Sequence, residues 1–98
     1  MKTKVVFRKW KEGGGIIALF PEEYYCGMTC RAYDDVGKDG DANYTTVMIN
    51  TMRPSPLECV ALKRELERLG YDLEIYQRAT PKMQETFMAA RKTAQQLS

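Results

Sequence analysis

The stretch Ser55-Pro56-Leu57-Glu58, followed by Gly70, constrains the fold more than any other feature of this chain. Serine three residues before glutamate forms a capping box: the hydroxyl accepts from the Glu58 amide while the carboxylate reaches back to the amide of Ser55. Proline at the first helical position lacks only an N–H that would be unsatisfied there anyway. Cys59, Leu62, Leu66 and Leu69 then recur at helical spacing, flanked by Val60, with Lys63, Arg64, Glu67 and Arg68 toward water. Gly70 supplies the left-handed residue that ends such a helix. One amphipathic helix must therefore lie on something apolar, and the rest of the chain has to supply it.

The supply reads as strands. Residues 3–10 alternate, with Val5 and Phe7 on one side and Lys4, Val6, Arg8 and Trp10 on the other. Lys11-Glu12-Gly13-Gly14-Gly15 reads as a hairpin turn, and Ile16–Phe20 is its partner strand, ended by Pro21. An unbroken apolar run of that kind asks for cover on both faces. Met28–Asp34 alternates again, and Asp35–Asn43 reads as a loop. Residues 42–51 are ambiguous. Tyr44, Val47, Met48 and Thr51 follow a helical period, with Asp41 as a possible cap, whereas Thr45, Thr46, Val47 and Ile49 are β-branched and favour a strand. After Gly70, Tyr71–Arg78 alternates: Tyr71, Leu73 and Ile75 inward, Asp72, Glu74, Tyr76 and Arg78 toward solvent. Thr80-Pro81 opens a last helix with Met83, Phe87, Ala90, Ala94 and Leu97 on one face, its end fraying over about 93–98. The order β-β-β-(α)-α-β-α predicts a single α+β domain over residues 1–98. The expected architecture is a two-layer sandwich, an antiparallel meander with helices on one face.

Absences narrow the chemistry. No histidine is present, which removes the usual general base and the commonest metal ligand. Cys26, Cys30 and Cys59 are an odd count, read as reduced thiols. The spacing Cys26-x-x-x-Cys30 begins like a cluster motif, but Tyr33 stands where its third cysteine belongs. Asp39-Gly40-Asp41-Ala42-Asn43 imitates the start of a calcium loop, yet Tyr44 and Asn50 occupy the positions that need glycine and glutamate. Gly13-Gly14-Gly15 lacks the trailing lysine of a phosphate loop. No nucleophile–base pair can be named, so the chain reads as non-enzymatic, with no cofactor and no metal. Its longest apolar run, Ile16–Phe20, is far short of the about 20 residues that a membrane span requires. No membrane partner is expected, and the location expected is the cytoplasm.

The formal charge of +2 averages opposite patches. Lys2, Lys4, Arg8, Lys9 and Lys11 outweigh Glu12 at the start, and six acids outweigh Arg31 and Lys38 across 21–50. If the strands pair as expected, Lys4, Arg8, Trp10, Arg31, Tyr33, Tyr76 and Arg78 share the wet face of the sheet. Cations interleaved with aromatics are what a single-strand nucleic-acid platform uses, although Asp72 and Glu74 on the same face would repel phosphates. The same side chains, with Tyr24, Tyr25 and Met28, suit a protein interface. The function expected is thus a small binding or regulatory module acting through a protein partner or self-association, with nucleic acid as the alternative.

Several segments also carry a resemblance. The opening Met1-Lys2-Thr3-Lys4-Val5-Val6-Phe7-Arg8-Lys9-Trp10 and Ile16-Ile17-Ala18-Leu19-Phe20-Pro21 are its first part. Cys30, Tyr33-Asp34-Asp35-Val36-Gly37, Tyr44-x-x-Val47-Met48 and Glu65-Leu66-Glu67-Arg68-Leu69-Gly70-Tyr71-Asp72-Leu73 continue it. Together they resemble a group of small hypothetical proteins from gut Bacteroides-type bacteria and their phages and mobile elements. Lys38-Asp39 replaces a Gln-His pair of that group. The resemblance implies a cytoplasmic accessory protein and carries over no functional residue.

Overall fold

The structure is a computed structural model that describes residues 1–97. β1 (Thr3–Trp10) and β2 (Ile16–Tyr24) form the expected hairpin, in the register Val6↔Leu19 to Lys9↔Ile16. Gly13 and Gly14 take positive φ in its turn, a conformation open to glycine at little cost. β3 (Cys30–Asp34) pairs antiparallel with β2, and β4 (Asp39–Ala42) with β3. The fold is α+β, and the three-strand meander of β1, β2 and β3 stands as read, with β4 added at its edge.

Three boundaries differ from the sequence reading. Pro21 does not end β2; it is buried within it, where the pairing with β3 shifts register between Phe20 and Tyr24. An irregularity of this kind is where a strand accommodates a residue with no N–H. β3 starts at Cys30 rather than Met28, because 25–29 closes a tight turn in which the Thr29 hydroxyl donates to the Cys26 carbonyl at 2.7 Å. The expected loop 35–43 contains β4. The Asp34 carboxylate accepts from the amides of Val36 and Lys38, and Gly37 takes φ +87°, so the chain reverses within four residues.

The ambiguous segment resolves as helix α1 (Tyr44–Asn50), capped by Asn43 rather than Asp41: the Asn43 side chain accepts from the Thr46 amide at 3.0 Å. A two-residue strand, β5 (Thr51–Met52), then pairs antiparallel with the end of β1. Helix α2 (Pro56–Arg68) has the full capping box, and it ends with the Gly70 amide on the Glu67 carbonyl and the Tyr71 amide on the Leu66 carbonyl. β6 is Leu73–Tyr76, shorter than expected, and it is parallel to β1 where an antiparallel meander was expected. The crossover through α2 brings it back in β1's own direction, onto the half of β1 that β5 leaves free.

The apolar run of β2 has cover on both faces. Val5, Phe7, Ile16, Ala18 and Phe20 pack with Cys59, Leu62 and Leu66 of α2. Val6, Ile17, Leu19, Cys30 and Ala32 pack with Val47 of α1 and, less deeply, Phe87 of α3 (Pro81–Leu97). The face expected to be wet is therefore a second core. On α3 only Met83 is fully buried; Phe87 and Ala94 are half-buried, and Ala90 and Leu97 are exposed, so the expected apolar stripe is fully seated only at its start and partly seated beyond it. The helix runs through Leu97; the expected fraying extends to Ser98, which lies outside the described residues.

Candidate functional site

The strand registers decide where the expected binding face falls. Val6↔Tyr76 and Lys4↔Glu74 set Lys4, Arg8, Trp10 and Tyr76 on the side of α1 and α3. Phe20↔Arg31 and Ala18↔Tyr33 set Arg31 and Tyr33 on the opposite side, toward α2. The seven residues do not form one surface. Trp10 and Tyr76 are half-buried against the second core, and the Tyr76 hydroxyl donates to Glu74 at 2.9 Å. The Lys4 ammonium sits 3.4 Å from Glu22, and Arg31 donates to both Asp39 oxygens at 2.8 and 2.9 Å. Burial pushes the nearby Glu23 carboxyl up, opposed by the Arg31 guanidinium. Arg8 is spent on Thr51. Of the seven, Arg78, just past the end of β6, is the cation with neither a carboxylate nor a hydrogen-bond partner among the described residues. An aromatic platform with free cations is not what this sheet presents.

What the α1/α3 side does present is a groove. Its deeper part, about 310 Å³, is lined by Pro21, Met28 and Cys30 on one side and Phe87 and Met88 on the other. Through Tyr44, Thr45, Ala79 and Gln84 it is continuous with a shallower part of about 650 Å³ bounded by Met48, Ile49 and Arg78. Local hydrogen bonds fix the walls. The Tyr44 hydroxyl accepts from the Ala79 amide at 2.7 Å, joining α1 to the turn before α3. Thr80 caps α3 by accepting from the Met83 amide at 3.2 Å. Arg91 donates to the Gly27 carbonyl at 2.8 Å, holding α3 against the 25–29 turn, and the rings of Tyr24 and Phe87 meet edge to face.

The groove is apolar and open. Met28 is 52% exposed, Met88 47% and Ile49 66%. Apolar side chains clustered this way on a surface mark an interaction site more often than chance, and methionine adapts its shape to what it meets. Among the described residues, Arg78 is the single side chain of fixed charge in the lining, and no carboxylate lines it. The thiol there, that of Cys30, is buried, and burial pushes it up to about 11. It is a protonated thiol at neutral pH, unfit for attack. Among the described residues, no group of three cysteine, aspartate or glutamate side chains is placed to hold a metal ion. No helix there is long and apolar enough to cross a membrane.

Met28 and the helical period of Tyr44 and Met48 were visible in the sequence; Met88 was not, because it lies one position off the stripe that runs from Met83 through Phe87. Comparison with protein-family models, curated proteins and solved structures finds no match to this chain.

Proposed function

We propose that this chain is a small non-enzymatic binding module that acts through a protein partner. Its groove takes an apolar segment of another protein that carries a carboxylate opposite Arg78. One observation supports this above the rest: half-exposed Met28, Met88 and Ile49 line a continuous groove whose only fixed charge is an unpaired cation. Apolar anchors beside a positioned polar group are the anatomy of a recognition site. The charge selects the acidic partner. A second copy docking its own α3 here would bring Lys82, Arg91 and Lys92 against Arg78 with only Glu85 to offset them.

A photo-crosslinking residue at position 88 in native cells identifies what occupies the groove, and titration of that purified protein tests the reading. Met88→Lys and Arg78→Glu are each expected to weaken binding by about 10-fold or more while leaving the unfolding midpoint within a few degrees. A crosslinked protein that binds both variants as tightly as the wild type overturns the proposal, as does the absence of any crosslink.

A further inference from the structure

The two edges of the sheet end differently. At one, β4 is four residues long and carries Asp39 and Asp41 around Gly40. Short, charged and glycine-containing, it is a poor template for another strand. At the other, β6 lies on β1 and no strand among the described residues pairs with its outer side. The Thr3 amide donates to the Asp72 carbonyl at 2.7 Å, and the register runs parallel from Thr3↔Leu73 to Val6↔Tyr76. Peptide groups alternate along such a pair, so Asp72, Glu74 and Tyr76 turn theirs to β1, and Leu73 and Ile75 turn theirs outward. The Ile75 side chain is 52% exposed although it shares a face with wholly buried Val5. A cavity of about 420 Å³ opens beside it, walled in part by Phe7 and Val60.

We infer that β6 pairs antiparallel with β6 of a second copy of this chain, joining two sheets into one across a two-fold axis at Ile75. Only outward peptide groups can meet, which leaves Leu73 and Ile75; with the axis at Ile75 that residue pairs with the partner subunit's Ile75, and the two side chains stand together at the mouths of the two cavities. Glu74 then lies across from the partner's Tyr76. Charge is graded along the strand, with Asp72 and Glu74 at its start and Arg78 past its end, and antiparallel pairing sets the acidic end of one copy beside the basic end of the other. Asp72 is held only loosely by Lys2, at 3.5 Å with both side chains well exposed. Moving the axis to Glu74 would set two carboxylates face to face, which selects the Ile75 register. This contact lies at the sheet edge, and of the groove's lining it draws on Arg78 alone.

Sedimentation equilibrium from about 1 μM to about 1 mM, the range over which a moderate contact saturates, is the test. The wild-type chain is expected to reach twice its monomer mass. Ile75→Pro removes an amide that only the second copy would use, and Ile75→Lys places a charge at the axis while keeping the backbone donor. Each is expected to weaken the dimer about 10-fold or more with an unchanged far-ultraviolet spectrum. Exchange of the Ile75 amide in the wild type, slow at high concentration and fast at low, reads the same contact without a substitution. A monomer throughout the range, a dimer undiminished in both variants, or an Ile75 amide indifferent to concentration each overturns the inference.

Discussion

Arg8 grips Thr51 at two points: its Nε donates to the hydroxyl at 2.9 Å and one terminal nitrogen donates to the carbonyl at 3.0 Å. Thr51 is 2% exposed, the buried polar residue of the core, and its own hydroxyl donates to the Val47 carbonyl at 2.6 Å. A cation whose alternation with aromatics suggested a phosphate contact thus locks β1 to the end of α1. Thr51→Val keeps the shape and removes the oxygen, leaving the Arg8 Nε and the Val47 carbonyl each short of a bond. It is expected to cost about 1–3 kcal/mol in urea unfolding. Arg8→Lys should not restore the lock, since an ammonium cannot span both acceptors in one plane.

The capping box of α2 reaches further than its own helix. The Lys9 ammonium, and next the Ser55 amide, hold the exposed Glu58 carboxyl at about 2, below the ordinary carboxylate range. Its folded value lies below its unfolded one, so Glu58 favours the fold above the ordinary carboxylate pKa and loses that contribution as pH falls toward about 2. Lys9→Met is expected to raise the Glu58 midpoint in a carbon-detected NMR titration and to move acid unfolding to higher pH. Ser55→Ala is expected to lower stability by about 1 kcal/mol at neutral pH.

Two leucines of the same helix make a paired test of the α2 face. Leu66 is wholly buried in the cluster with Phe20 and Val5, whereas Leu57 is 83% exposed. Leu66→Ala is expected to destabilise by about 2–5 kcal/mol and Leu57→Ala by less than about 0.5 kcal/mol. Equal losses in thermal unfolding would mean that α2 docks by a different face.

Single-stranded and duplex oligonucleotides titrated against the Trp10 fluorescence test the division of the basic and aromatic residues between the two faces. No quenching is expected at low salt, because Trp10 is packed against Val47's cluster and Lys4 and Arg31 already face carboxylates. Quenching that fades as salt rises would restore the nucleic-acid reading.

The helix from Pro56 to Arg68 was legible because its cap, proline and closing glycine are local chemistry that the flanking chain cannot easily override, although Leu69, read as part of its apolar stripe, is the C-cap and is 48% exposed. The β1–β2 hairpin was legible for the same reason. The misreadings share a physical cause. Alternation in 71–78 tells which residues share a side, not what lies over that side, so a face built from Glu74 and Tyr76 read as wet although α1 and α3 cover the sheet there. Likewise Lys4, Arg31 and Tyr33 alternate correctly within their own strands, but the register Ala18↔Tyr33 that separates them is a relation between strands. β4 was missed because Asp39-Gly40-Asp41-Ala42 has no strand propensity and forms only where β3 offers it an edge. The groove was the least visible feature: its walls come from α1, α3 and the 25–29 turn together, and no single stripe of residues encodes it.

β1 is shared between β6 along its first half and β5 along its second. Thr3 waits for Leu73, a partner 70 positions later, while the other edge of β1 closes at once on β2 from Val6 to Lys9. During synthesis, then, the four-strand meander can assemble while Val5 and Val6 still show one bare strand edge to the surroundings. That edge is satisfied only when α2 has wound and β6 has left the ribosome, because closing so long a loop must wait for its contacts. The interval gives chaperones, and misdirected neighbouring chains, the same opening: the oldest strand of the sheet is the last to be finished.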